Sequence, residues 1–150
     1  MKLPSRRTGN WLGFLACALA LGLAFYSQYV LDLQPCHLCI FQRVTVAAMG
    51  LAFLVATLNA NGRVSGAITA ILIAITGLAT LATSGRHVWL QMQPPGSVPS
   101  CGADLDFMFQ LFPVTEVIMK VFKAGGECAK ADFTLLGLSI PAWVFVFALV

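Results

Sequence analysis

The chain has 150 residues, 59% hydrophobic and only 10% charged, with a formal net charge of +3. A soluble domain carries about 25% charged residues, so a water-soluble globule is excluded and a single membrane domain, 1–150, is expected. So small a positive balance gives no electrostatic footprint for nucleic acid.

Lys2, Arg6 and Arg7 precede the first apolar run, which extends from Trp11 to Leu31 without a charge. A cleaved signal peptide has an apolar core of only about 7–15 residues, so this run reads as a retained transmembrane helix. Trp11, Tyr26 and Tyr29 suit the aromatic belts at its two ends. The second run, 40–58, carries Arg43 in its first turns. Asn59-Ala60-Asn61-Gly62-Arg63 is a polar turn, and the third run, 64–83, is again uncharged. A long segment, 84–137, follows and holds most of the acids.

The fourth run, 138–150, has 13 residues. At 1.5 Å per residue it covers roughly 20 Å of a hydrocarbon core about 30 Å thick. It is expected either to be incomplete here or to stop short of the far face.

Basic residues favour the cytoplasmic side. Lys2, Arg6, Arg7 and Arg63 therefore place the N-terminus in the cytoplasm, and the loops 32–39 and 84–137 outside, in the periplasm. Within the second loop, Val114, Val117, Ile118, Val121 and Phe122 recur at helical spacing, with Thr115, Glu116, Lys120 and Lys123 opposite. Pro113 and Gly125-Gly126 bracket the pattern as start and stop. Too short and too charged to span, it reads as an amphipathic interfacial helix or as a small helix packed over the bundle end. The expected fold is all-α: a polytopic membrane protein, a four-transmembrane-helix bundle with a short interfacial amphipathic helix in the second periplasmic loop.

Four of the five cysteines fall on the outer side by this topology. Cys36 and Cys39 form a Cys-x-x-Cys pair at the head of the second helix, and Cys101 and Cys128 flank the amphipathic helix. Pairs on an oxidising face read first as disulfides. A structural role is the plain alternative for Cys101 with Cys128. It is weaker for Cys36 and Cys39, because a two-residue spacer constrains little chain and is the spacing of redox exchange.

Zinc on four cysteines is disfavoured because Cys101 and Cys128 lie 27 positions apart, and no resident metal is expected. Haem attachment needs histidine after the second cysteine, where Ile40 stands. Cys17, mid-span, reads as a small apolar filler.

The first pair has a specific setting. Unpaired N–H groups and the helix dipole at a helix start favour a thiolate. Arg43, four positions past Cys39, adds a fixed charge. It acts either as a snorkelling anchor or as the partner of a thiolate or polar headgroup. His37 reads as a spacer that tunes the thiols or as a solvated linker. His87, beside Arg86 at the outer end of the third helix, shares the depth of Cys39 and makes a common polar site credible.

These residues carry a resemblance. Pro35-Cys36-His37-Leu38-Cys39-Ile40-Phe41-Gln42-Arg43, Arg86-His87, Cys101, Gly126-Glu127-Cys128-Ala129 and Leu136-Gly137-Leu138-Ser139-Ile140-Pro141-Ala142-Trp143 together resemble the bacterial disulfide-bond-formation protein B (DsbB) family, over nearly the whole chain. The short fourth helix is the departure, and it bears on the bundle and C-terminal topology, not on the redox site.

The resemblance implies a quinone-dependent protein-disulfide oxidoreductase of the bacterial inner membrane. It would reoxidise a soluble periplasmic DsbA-like thioredoxin-fold protein and pass the electrons to ubiquinone or menaquinone in the lipid bilayer. That direction belongs to the general DsbA–DsbB–quinone scheme and is not read from these residues. The partner would attack the Cys101–Cys128 disulfide through Cys101. Cys128 would then attack Cys36, and Cys39 would face the quinone. Arg43 would stabilise the Cys39 thiolate and a quinone carbonyl, with His87 in the same environment.

The competing class is a non-enzymatic four-helix membrane protein with two structural disulfides. The vitamin K epoxide reductase-like family also couples thiols to quinone, but it places its Cys-x-x-Cys after the loop cysteines, the reverse of the order here.

Overall fold

The computed structural model describes residues 5–59, 63–94, 105–123, 134–135 and 137–149. Cys101 and Cys128 lie outside the described residues. The order is α1 (Arg6–Tyr29), α2 (His37–Leu58), α3 (Arg63–Gln91), α4 (Leu105–Leu111), α5 (Val114–Lys123), β1 (Thr134–Leu135), β2 (Leu138–Ser139) and α6 (Ile140–Leu149). Three helices are long and apolar enough to cross a membrane, over Arg6–Tyr29, His37–Leu58 and Ser65–Gln91, and α6 is a shorter apolar helix. The chain is thus a mostly helical, multi-pass membrane protein. It divides into two compact units, residues 1–33 with 42–81 and residues 34–41 with 82–150.

The first unit is built from long helices in which small residues permit close approach. Ser5 opens α1 by accepting a hydrogen bond from the Thr8 N–H at 3.3 Å, as N-cap serines do. Leu12, Leu15, Leu19 and Leu23 recur at helical spacing along α1, and each is more than half exposed. Such a stripe is costly in water and natural against lipid.

The opposite face meets α2. A Cβ added at Gly50 would lie 3.1 Å from the Cys17 Cβ, and one at Gly13 would lie 2.8 Å from the Phe53 ring. Threonine hydroxyls within the spans are satisfied by their own helices. Thr57 donates to the Phe53 carbonyl at 2.9 Å, Thr69 to Ser65 at 2.9 Å and Thr80 to Thr76 at 2.9 Å. Back-bonding of this kind lets a hydroxyl sit where no water reaches.

Cys17 is buried at that α1–α2 crossing. Its packing role leads to a simple expectation. Cys17→Ala should keep turnover within about twofold, because a small buried swap costs little. A large loss of thiol oxidation rate in the purified variant would assign Cys17 to the chemistry.

After α1 the chain reverses sharply. The Val30 N–H closes on the Tyr26 carbonyl at 2.9 Å and the Leu33 N–H on Ser27 at 3.2 Å. Asp32 adopts φ 52°, a left-handed conformation that Asp tolerates better than most residues.

The second unit begins with Gln34–Phe41 and resumes at Ala82. The third apolar run was expected to end at Thr83, yet α3 continues to Gln91. The membrane-compatible run and the helix therefore have different lengths. Ser84, His87 and Leu90 are all buried, and a Cβ at Gly85 would lie 3.2 Å from the Phe145 ring of α6. Packing holds the helix together where composition alone suggests an exit.

α5 occupies the span read as an amphipathic helix. Val117 and Val121 are fully buried, whereas Val114 and Met119 are more than half exposed. The Pro113 carbonyl accepts from the Glu116 and Val117 N–H groups at 2.9 and 3.1 Å, which sets its first turn. Glu116 and Lys120 pair across one turn at 3.5 Å, and the Lys120 ammonium sits over the Phe112 ring.

Two elements were not anticipated in an all-α chain. α4 precedes α5, and a minimal antiparallel hairpin pairs Thr134 with Ser139 and Leu135 with Leu138. Gly137 supplies the positive φ of its turn, 81°. The hairpin delivers the chain into α6, with Pro141 buried in its first turn, where its missing N–H costs nothing. The Ser139 hydroxyl donates to Gln91 Oε1 at 2.6 Å and ties this junction to the end of α3.

Candidate redox site

The site grows out of the first turn of α2. Cys36 stands immediately before His37, the first helical residue. Its carbonyl accepts from the Ile40 N–H at 3.2 Å, and its Sγ accepts from the Cys39 N–H at 3.4 Å. Cys36 is therefore the N-cap of α2, with sulfur in the place usually taken by a serine or aspartate oxygen. The N–H groups at a helix start carry partial positive charge and favour an anionic acceptor.

The sequence located both thiols at the helix start. The structure adds that the cap hydrogen bond falls on Cys36. The Cys36 thiol in turn donates to the Cys39 sulfur at 3.1 Å, and both cysteines are half-buried. The pair forms a dithiol positioned for closure.

His87 comes from α3 and is 2% exposed. Its Nε2 lies 3.7 Å from Cys36 Sγ. This nitrogen accepts from the thiol or donates to the thiolate according to tautomer. Sequence position indicated only a shared depth; the structure makes His87 a neighbour of the dithiol. Arg86, one position earlier, stacks on the Trp89 ring at 4.3 Å.

Around these groups lies an apolar shell that the sequence did not reveal. Leu38, the second spacer residue, is fully buried with Leu90, Val117 and Val121, and Met108 joins them. Cys36, Phe41 and Phe112 pack against this cluster. α4 and α5 thus contribute the covering of the dithiol's first turn. The signal for α4 was present as Met108 and Phe112 four positions apart, followed by Pro113 as a stop.

Arg43 is held by α1. Its guanidinium donates to Gln28 Oε1 and to the Ala24 carbonyl at 2.9 Å, and lies 5.3 Å from the Phe25 ring centre. An arginine in an apolar helix needs such partners. The sequence did not single out Gln28. Gln42, its neighbour in chain order, is 5% exposed, and its Nε2 has no hydrogen-bond partner among the described residues.

Comparison with known proteins identifies one family. The family model described as "Disulfide bond formation protein DsbB" matches residues 6–150. The disulfide bond formation protein B of Methylococcus capsulatus is 44% identical over 146 residues, covering 97% of this chain and 89% of the relative. That of Nitrosococcus oceani is 46% identical over 136 residues, covering 91% and 80%. That of Chromohalobacter salexigens is 43% identical over 143 residues, covering 95% and 83%.

Proposed function

The chain belongs to the DsbB family and is a membrane thiol–disulfide oxidoreductase, and from that footing we propose that it reoxidises a DsbA-like thioredoxin-fold protein in the periplasm and delivers the electrons to membrane quinone. The observation that carries this reading is the Cys36–Cys39 dithiol at the head of an apolar helix, with His87 Nε2 3.7 Å from Cys36 Sγ. A membrane-facing dithiol meets a lipid-soluble oxidant, while a pair in a loop meets a soluble protein. The chain sits in the bacterial inner membrane with its N-terminus cytoplasmic and Cys36, Cys39, Cys101 and Cys128 periplasmic, supported by the placing of Lys2, Arg6, Arg7 and Arg63.

Each transfer is an exchange in which a thiolate attacks a disulfide sulfur and a second thiolate leaves. The partner's dithiol attacks at Cys101 and releases Cys128. Cys128 attacks Cys36, which releases Cys39. A second thiol on each side then completes the exchange, so two electrons pass from the partner's dithiol to the Cys36–Cys39 pair. A bound quinone supplies the oxidant that takes up those two electrons and two protons.

The residues at the site fit such a headgroup. Its carbonyls need N–H donors within an apolar pocket, and the buried Gln42 Nε2 lacks a partner among the described residues. Arg43 would offer N–H donors to the headgroup, and His87 is assigned to the quinone environment only as the family resemblance implies. The Cys39 N–H stabilises charge on Cys36 when that thiol is the leaving or attacking group.

The test is quinone reduction by the purified full chain supplied with a reduced thioredoxin-fold dithiol. The quinone absorbance should fall in proportion to dithiol consumed. No reduction, with Cys36 and Cys39 remaining as thiols, would overturn the reading.

The order of the pairs has its own check. Cys128→Ser leaves Cys101 without its resolving thiol. A partner lacking its own resolving cysteine should then accumulate as an adduct on Cys101 under oxidation, resolved by non-reducing electrophoresis and peptide mapping. An adduct formed mainly through Cys36 would reverse the assignment of the two pairs.

A further inference from the structure

Beyond electron transfer, we propose that the reduced site is a binding site for a soft divalent cation of the zinc and cadmium class, with Cys36, Cys39 and His87 as its three protein ligands. The inference rests on the dithiol and the histidine alone and does not need the proposed electron route. One ligand atom from each of the three residues lies within 4.8 Å of the other two. The two sulfurs are 3.1 Å apart, and Cys36 Sγ is 3.7 Å from His87 Nε2.

A tetrahedral zinc ion, with Zn–S about 2.3 Å and Zn–N about 2.0–2.1 Å, requires sulfurs about 3.8 Å apart and a sulfur–nitrogen separation of about 3.6 Å. Both separations are within about 1 Å of those values. Rotation of the thiol side chains supplies the difference without moving either helix. The donors are matched in kind, because thiolate and imidazole select this class of ion over magnesium or calcium.

Three protein ligands leave a fourth position for water, the form of an open site. The Cys39 N–H that caps Cys36 Sγ also stabilises the thiolate the ion requires.

Binding conserves electrons. Two thiols lose their protons to solvent, two metal–sulfur bonds and one metal–nitrogen bond form, and nothing is oxidised or reduced. The site exists only in the dithiol state, since a disulfide offers no thiolate. Thiolates held by the ion are withheld from exchange, so the cation arrests the reduced enzyme. This ion is an incoming ligand and not a resident cofactor.

The test uses the full chain in detergent micelles with Cys101→Ser and Cys128→Ser, reduced, and titrated with Cd²⁺ alone. The expected result is a thiolate-to-cadmium absorption band that saturates at one ion per chain, with Cys36 and Cys39 protected from maleimide. Oxidation of the pair should abolish the band. His87→Ala should weaken Cd²⁺ binding by at least about tenfold, and His87→Cys should restore it by returning a soft ligand.

Equal affinity in the parent, His87→Ala and His87→Cys proteins would overturn the three-ligand site. So would a band that survives oxidation of the pair, or one that persists in Cys36→Ser.

Discussion

Cys36→Ser is expected to lower steady-state quinone reduction by more than about 10³-fold, the scale on which loss of a covalent nucleophile acts. Serine cannot form the disulfide that connects the two pairs. The variant is a clean one because of where Cys36 sits. Its Sγ accepts the Cys39 N–H at the start of α2, and serine is among the best residues for that position.

The helix start therefore survives while the chemistry is lost. Circular dichroism and thermal unfolding should be nearly unchanged. One exchange between Cys101 and a reduced partner should still occur in a single-turnover assay without quinone. Retention of more than a tenth of turnover would mean that the Cys36–Cys39 pair is not on the electron route.

Arg43→Lys is expected to raise the apparent KM for quinone by roughly 10- to 150-fold, the equivalent of one charge-assisted hydrogen bond of about 1.5–3 kcal/mol. Lysine keeps the charge but has no planar fork, so it cannot reproduce the same pair of fixed, directed donors. The observed contacts sharpen the test. The guanidinium already donates to Gln28 and Ala24 of α1, which makes a tie between helices a real competing role.

Gln28→Ala separates the two roles by removing one α1 acceptor and leaving the cation. If Arg43 contacts the headgroup, Gln28→Ala should change the quinone KM by less than about threefold while Arg43→Lys changes it strongly. Equal effects of both variants, with lowered thermal stability, would make Arg43 a structural tie. Exchange at Cys101 should be intact in either case.

The parts of the fold that were legible are those whose signal is local. Apolar runs of about 20 residues with at most one charge announce spans whatever they pack against, and α1, α2 and α3 were found that way. α5 was legible from its alternation of faces. The end of α3 was not, because Ser84-Gly85-Arg86-His87 reads as departure from the membrane, and composition does not distinguish that from departure from the helix. The contacts that carry the helix to Gln91 come from distant sequence, notably Phe145. The β1–β2 hairpin, with two residues per strand, is too short to show a period.

The candidate site divides in the same way. Cys36, Cys39 and Arg43 lie within eight consecutive positions and were legible as a motif. His87 stands 51 positions from Cys36, and only a common depth linked them until α2 and α3 were in place. Gln28 as the partner of Arg43 could not be read, because an amide mid-chain has no pattern that names its acceptor or donor.

The N-cap at Cys36 also makes the redox state visible to the backbone. A thiol or thiolate accepts the Cys39 N–H more strongly than a sulfur already bonded to another sulfur. Amide hydrogen–deuterium exchange at Cys39 should therefore quicken when the pair closes into a disulfide and slow again on reduction. The first turn of α2 becomes an internal gauge of electron occupancy, readable by mass spectrometry without a dye, a quinone or a partner protein.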